Sequence, residues 1–285
     1  MRLATRGSPL ARWQAEWVAA ALGGAELVPV ETLGDRRRDV SLAEIGGQGV
    51  FVKEVQAAVL DGHADAAVHS AKDLPSTVTD GLVIAAVLER GDPRDALVGS
   101  TLEALPSGGT VATGSVRRRV QLAHLRPDLQ FADLRGNIDT RLAKADAFDA
   151  IVVAVAALQR LGRDDRVAEA LDPSLLVPQV GQGAVAVECR AGDAATVARL
   201  AGIEHSPTRW AVEAERAFLA TVGGGCTLPV GAYATREDGL LALIASADGA
   251  KVVRHQARGD DPVALGRAVA EHLLSSGGSA LLRGT

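Results

Sequence analysis

The sequence predicts an α/β protein: two open-sheet domains joined by two crossings of the chain, followed by a small antiparallel α+β unit. Three observations predict it. Short apolar strand-like runs alternate with helical stretches, twice over, through about residue 204. Two stretches rich in Gly or Pro, 90–95 (Arg-Gly-Asp-Pro-Arg-Asp) and 177–183 (Val-Pro-Gln-Val-Gly-Gln-Gly), separate the two series. After Glu204 the pattern changes to one long helix and three strands of alternating polarity. Strands separated by helices imply parallel sheets with helices on both faces.

In chain order, residues 3–5 form a short strand, and Ser8-Pro9 opens a helix with Ser as N-cap and Pro in the first turn, where its missing N–H costs nothing. Leu10, Trp13 and Trp17 are expected to form that helix's buried stripe. Strands are predicted at 27–32, 64–69 and 82–88, with a helix at 51–60. The second series has strands at 110–113, 130–134 and 150–154, and helices at 117–125, 140–145 and 156–161. A strand at 184–188 and a helix at 194–200 follow. In the tail, Ser206-Pro207 caps a helix running to Val222 and stopping at Gly223. Strands at 230–235, 240–245 and 252–257 turn at Asp238-Gly239 and Asp248-Gly249, and a helix at 262–274 ends at Gly277. The implied division is 1–89 with 184–204, then 94–178, then 206–285, with hinges at 90–93 and 179–183.

Composition narrows the function. The 285 residues leave room for two or three domains, and aromatics are only 3%. A net charge of −5 lacks the basic excess of a duplex binder, which argues against a nucleic-acid partner. Cys189 and Cys226 form no CxxC pair, so neither a disulfide framework nor a metal site is expected. The first residues lack an apolar leader core, and the longest apolar run, 150–158, is too short to span a bilayer. The chain reads as a cytoplasmic monomer with no membrane partner.

Within that acidic chain the arginines are placed unevenly. Arg6-Gly7-Ser8, Thr113-Gly114-Ser115-Val116-Arg117-Arg118, Arg135-Gly136-Asn137 and Thr140-Arg141 each set a guanidinium beside a hydroxyl or amide at a strand end or helix start. Backbone N–H groups at a helix start and a planar Arg fork both donate to pairs of oxygens, so these corners suit carboxylates or phosphates. Several corners imply a ligand with several acidic groups, seated between the two domains. Arg abundance is the plain alternative, since only four of the 30 basic residues are Lys.

Val68-His69-Ser70-Ala71-Lys72-Asp73-Leu74-Pro75 gathers polar groups at the end of an apolar strand, where open sheets place their sites. Lys72 offers a compact ammonium, and Asp73 a carboxylate able to stabilise a developing cation or exchange protons with a nitrogen leaving group. The ordinary alternative is a solvated Lys-Asp turn. Gly223-Gly224-Gly225-Cys226 presents a thiol on a glycine loop, fit for an attachment point or nucleophile, whereas Cys189 inside a strand reads as a structural thiol. The stretch 34–49, with Arg36, Arg37, Arg38 and Gln48, reads either as a surface loop or as a lid.

Taken together and in order, Ala4-Thr5-Arg6-Gly7-Ser8-Pro9-Leu10-Ala11, Val68-His69-Ser70-Ala71-Lys72-Asp73, Asp92-Pro93-Arg94-Asp95-Ala96, Leu134-Arg135-Gly136-Asn137, Val180-Gly181-Gln182-Gly183-Ala184 and Gly224-Gly225-Cys226 resemble the porphobilinogen deaminase (hydroxymethylbilane synthase) family over nearly the whole chain. The resemblance implies two domains like type II periplasmic binding proteins plus a small third. It implies a transferase of tetrapyrrole and heme synthesis that condenses four porphobilinogens into linear hydroxymethylbilane, with loss of ammonia. It implies a dipyrromethane primer joined by thioether to Cys226 and a catalytic Asp73. Arg6, Ser8, Ser70, Lys72, Arg117, Arg118, Arg135 and Arg141 match positions that bind acetate and propionate side chains, with Thr113 and Ser115 in the same corner. Two departures stand out: Gln48 where relatives often carry Lys, and Gly114 where they carry a second hydroxyl. Two other classes remain open on the residues alone: a solute-binding protein without chemistry, which leaves the Cys226 loop unexplained, and a cysteine-dependent hydrolase or acyl transferase, which needs a His base near Cys226.

Overall fold

The structure is a computed structural model that describes residues 1–32, 52–224 and 228–283. The loop 34–49 with Gln48, and Cys226 itself, lie outside these residues.

The first sheet begins with β1 (Arg2–Arg6), which enters helix α1 (Pro9–Ala21). Ser8 caps that helix by accepting from the Ala11 N–H at 3.3 Å. β2 (Glu26–Val30), α2 (Lys53–Leu60), β3 (Ala66–Ser70) and β4 (Leu82–Val87) follow. The chain then crosses and lays down β5 (Asp95–Val98), β6 (Thr110–Ala112), α3 (Val116–Leu125), β7 (Gln130–Ala132), α4 (Ile138–Ala143), β8 (Ala150–Ala154), α5 (Val155–Arg160) and β9 (Glu169–Leu171). It returns through 177–184 into β10 (Val185–Arg190) and α6 (Ala194–Ala201).

The two five-stranded sheets share one plan, β2-β1-β3-β10-β4 and β7-β6-β8-β5-β9. In each, the fourth place is taken by the strand that has just crossed from the other sheet, and that strand alone runs antiparallel to both neighbours. This is the type II periplasmic-binding-protein pattern. It corrects the expectation of wholly parallel sheets: β5 and β9 were not legible as strands, and β10 enters its sheet from the opposite direction. β3 (AAVHS), β8 (AIVVA) and β10 (VAVECR) are near-continuous buried runs because helices cover both faces of each sheet.

Helix α1 turns a different face inward than its aromatic stripe implies. Gln14, Ala15, Val18 and Ala19 are buried, while Leu10, Trp13 and Trp17 are only partly covered. The two indoles lie 5.7 Å apart at the border between the sheet units, where the Arg160 guanidinium from α5 approaches within 5.4 Å of Trp13 and 5.9 Å of Trp17. An indole has an apolar body and a polar edge, so it suits a border better than a core.

The third unit is α7 (Ser206–Val222), the antiparallel meander β11 (Val230–Thr235), β12 (Gly239–Ala245) and β13 (Val252–Ala257), then α8 (Pro262–Leu273) and, after the 274–278 kink, α9 (Ser279–Arg283). His205 rather than Ser206 occupies the N-cap position of α7, without a side-chain cap, and Pro207 still sits in its first turn. β12 is apolar on both faces for a reason the alternation rule supplies. Leu240, Ala242 and Ile244 pack with Trp210 and Phe218 of α7 and Val269 of α8. Leu243 and Ala245 pack against Val120 and Val177 of the second sheet unit. Val212 of α7 meanwhile joins Val87, Ala71 and Leu74 of the first. The third unit therefore touches both sheets, and the two crossings bond to each other beneath it, with the Gly91 N–H donating to the Gly183 carbonyl at 3.1 Å.

A candidate anion-binding cleft around Asp73

The parallel strands deliver their C-terminal ends to one edge, and the candidate site residues lie at those ends and in the turns just beyond. β1 ends at Arg6 and β3 at Ser70; Thr113 and Arg135 follow β6 and β7. β3 runs straight into a single tight turn, Ala71–Asp73, whose Leu74 N–H returns to the Ala71 carbonyl. Lys72, Asp73 and Ser76 from this turn, Ser115 and Arg117 from the second unit, and Leu219 and Leu228 from the third line one recess. Ser76 Oγ also donates to the Gly224 carbonyl at 3.4 Å, so the described end of the glycine loop is fastened three residues beyond Asp73.

The hydroxyls are already oriented. Ser8 and Ser115 accept helix N–H groups as caps, and Thr113 Oγ1 accepts the Ser115 N–H at 3.2 Å. The Gln14 amide donates to Ser70 Oγ at 2.9 Å. Ser70 donates back to Gln14 Oε1 at 3.1 Å, so its hydroxyl is committed in both directions.

The arginines divide into two kinds. Arg117 and Arg118 are buried and share Asp95, which has no solvent exposure. Arg118 donates from Nε at 2.9 Å, and its second contact with the same oxygen is 2.6 Å; Arg117 approaches the other oxygen at 2.7 Å. Arg117 also donates to the Val177 carbonyl and Arg118 to the Val152 carbonyl. Gln182 of the return crossing adds an N–H to Asp95 at 2.9 Å. Burial opposes ionisation of Asp95, but Arg117 and Arg118 outweigh it and hold its pKa near 2. Arg135 and Arg141 are less engaged. Arg135 donates to Asp133 at 3.3 Å, while Arg141 donates to the Gly136 carbonyl at 2.8 Å.

The remaining cations are crowded against one another's charge. Burial first, then Arg118 and Arg141, lower the Lys72 pKa to about 8 against the opposing pull of Asp73 and Asp95. Burial and Arg118 likewise lower Arg141 to about 10, with Asp73 again opposing. Lys72, Asp73, Arg118 and Arg141 thus form one electrostatic group. Arg6 stands at the end of β1, and Cys226 lies outside the described residues.

The site offers more to an anion than its own carboxylates consume. Among the described residues, Arg117 Nε is buried and has no hydrogen-bond partner, and Arg117 lines the recess. Four cations around Asp73 and Asp95 fit a ligand bearing several carboxylates, and the apolar wall of Leu74, Leu219 and Leu228 fits flat rings. The Gly114 departure also has a local reason. A Cβ at Gly114 would lie 2.9 Å from the Leu134 carbonyl, so this corner packs backbone to backbone against the Arg135 corner.

Asp95, Gln182 and Gln14 are site-building residues that sequence reasoning missed. Asp95 and Gln182 carried a signal, since each stands in one of the two crossings and in a motif of the resemblance, whereas Gln14 carried none. No cluster of three or more His, Cys, Asp or Glu among the described residues is arranged to hold a metal. None of their helices is long and apolar enough to cross a membrane.

Asp95→Asn should strand two buried guanidinium groups and cost about 3–5 kcal/mol, read as a fall in thermal midpoint. In the wild-type protein the Asp95 contribution is complete above the ordinary carboxylate pKa and disappears as pH falls through about 2. The Asn variant should therefore show a flatter acid limb in midpoint against pH.

Comparison with known proteins agrees with this chemistry. Similarity to solved structures extends to the periplasmic VFT2 domain of BvgS from Bordetella pertussis (18% identity, 71% of this chain and 86% of that one, TM-score 0.40). YhfZ from Shigella flexneri (17%, 76% and 93%, TM-score 0.38) and protein PG110 from Staphylococcus aureus (10%, 76% and 91%, TM-score 0.42) are similar at the same level. At these scores the likenesses carry no weight, and the strand order speaks for the fold. Family models are more specific. Residues 1–198 match the porphobilinogen deaminase, dipyromethane cofactor binding domain, and residues 210–275 match the porphobilinogen deaminase C-terminal domain. With both models in order and together covering most of its length, the chain belongs to the porphobilinogen deaminase family.

Proposed function

We propose that this chain performs the family's reaction at the recess around Asp73, condensing four porphobilinogens into the linear tetrapyrrole hydroxymethylbilane with release of ammonia. The observation that carries the assignment of the site is the convergence of Lys72, Asp73, Arg118 and Arg141, with a buried Arg117 Nε in search of an acceptor. A dipyrromethane held by thioether at Cys226 supplies a primer with a free pyrrole α-carbon for chain growth. Gly224, bonded to Ser76, and Leu228 bring the flanks of the Cys226 loop to the recess.

In this reading each pyrrole brings two carboxylates, and Arg117, Arg118, Arg135, Arg141, Lys72 and Arg6 receive them, with Ser8, Ser70, Thr113 and Ser115 adding neutral donors. Asp73 faces the pyrrole N–H groups and opposes the positive charge that develops as ammonia leaves the substrate. Leu74, Leu219 and Leu228 exclude water from the growing bond. The division 1–89 with 184–204, 94–178 and 206–285 is supported by the three separate sheets. The protein is proposed to work as a cytoplasmic monomer on this small acidic substrate, with neither nucleic acid nor membrane as partner.

Intact mass of the purified protein tests the site. An excess of two linked pyrrole units should appear in the wild type and in Cys189→Ala, and be missing in Cys226→Ala; full turnover by Cys226→Ala refutes the covalent primer. Asp73→Asn should keep the added mass yet release ammonia slower by orders of magnitude, since it keeps the size and loses the charge. A normal rate of ammonia release would remove Asp73 from catalysis.

A pH profile provides a second check. Lys72 carries its charge below about 8 and loses it above, with Arg118, Arg141, Asp73 and Asp95 as the charges acting on it. Since kcat/KM reports groups of the free enzyme, it should fall as pH rises through about 8. Lys72→Arg should move that fall to higher pH, and an unchanged inflection in this variant would assign it to another group.

A further inference from the structure

Behind the Ala71–Asp73 turn lies the return crossing, and the two are in backbone contact. The Ala71 N–H donates to the Ala184 carbonyl at 3.0 Å, and the Gln179 amide reaches the Lys72 carbonyl at 3.5 Å. Between them, Gly181 adopts φ +71°, and a Cβ there would stand 2.9 Å from the Ala71 carbonyl carbon and 3.0 Å from the Lys72 nitrogen. Only glycine satisfies both the left-handed backbone and this approach. The position of the turn is therefore set by where Gly181 is held.

What holds Gly181 is a single side chain from the third unit. Glu215 of α7 has no solvent exposure, and its Oε2 accepts the Gly181 N–H at 2.7 Å. The same carboxylate accepts the Ala234 N–H of β11 at 2.9 Å and both terminal nitrogens of Arg90, at 2.6 and 3.1 Å. Arg90 belongs to the outgoing crossing and donates from Nε to the Gln182 carbonyl at 2.8 Å. One buried charge thus fastens both crossings and the third sheet at a point one glycine away from Lys72.

We propose that Glu215 is a positioning residue for the reaction: by holding Gly181 it presses the return crossing against Ala71 and Lys72 and so sets the placement of Asp73. The proposal rests on the reading of Asp73 as catalytic. Glu215 touches no substrate, and its effect reaches the chemistry through the backbone of Gly181. Misplacement of a catalytic group by about 1 Å can cost about 100-fold in rate, so the effect belongs in kcat.

The test uses holoenzyme carrying Glu215→Gln, and the double variant Arg90→Gln/Glu215→Gln, which removes the guanidinium that the single change leaves without its anion. Both should show kcat for ammonia release reduced about 10- to 100-fold, with KM for porphobilinogen within about threefold, because the carboxylate-binding arginines are untouched. Amide hydrogen exchange of a peptide covering 71–76 should quicken more than that of one covering 240–257. Glu215→Asp, which keeps the charge one methylene short, should lie between wild type and Glu215→Gln, and decides the matter if Glu215→Gln does not fold. An unchanged kcat, or a loss no larger than the unfolded fraction with 71–76 still protected, overturns the proposal. Asp73→Asn measured alongside separates the two ideas. If it keeps its rate, the catalytic reading of Asp73 fails, and the exchange at 71–76 still reports whether Glu215 places the turn.

Discussion

The cleft depends on one buried negative charge, Asp95, set at the first residue after the chain crosses to the second sheet. An isolated carboxylate removed from water carries a penalty of several kcal/mol, and so does each guanidinium. Here the penalties cancel because Arg117 and Arg118 from the start of α3 and Gln182 from the return crossing all converge on the two Asp95 oxygens. The arrangement has a structural consequence and a chemical one. It locks a strand, a helix start and a crossing to each other, and it holds Arg117 rigid where it lines the recess, so little rotamer entropy would remain to be lost to an acidic ligand of the proposed kind.

Much of the fold was legible in the residues, for identifiable reasons. Ser8-Pro9 announces a helix start by its capping chemistry, and the helix at 9–21 begins there. β8 is an unbroken apolar run and β10 is apolar apart from Glu188 and Arg190, the signature of strands covered on both faces. The strands that escaped, β5 and β9, are four and three residues long, and β5 opens on a charged Asp, which no periodicity rule assigns to a core strand. Asp95 becomes tolerable there only through Arg117 and Arg118, more than twenty residues away, and that compensation is tertiary.

The site was readable as a set of residue types but not as a set of partners. Lys72, Asp73, Arg118 and Arg141 act on one another electrostatically. The sequence could not show that Arg117 and Arg118 already share an anion, nor that Ser115, like Ser8, caps the helix that follows it. Glu215 left no trace at all, being one acid on an amphipathic helix. Its importance comes from what the two crossings and β11 present to it, and those are separated from it by up to 125 residues of chain.

The cations of the cleft are held close against their own repulsion. Burial and the neighbouring guanidinium groups push the Lys72 pKa down to about 8, which means that the fold bears a cost for keeping that ammonium charged at neutral pH. Asp73 and Asp95 relieve part of the cost but do not match the number of cations around them. Carboxylates of an incoming ligand relieve the rest, so binding strengthens the fold as it fills the site. The same logic sets a limit on chain growth. Each added pyrrole brings two more carboxylates, while the arginines proposed to receive them are anchored by Asp95 on one side and the proposed catalytic turn by the Gly181 contact on the other. A lengthening polyanion must therefore either move past these anchored donors or shift the units that carry them, and the crossings at 90–93 and 179–183, bonded to one another and pinned by Glu215, are where such a shift would have to be accommodated.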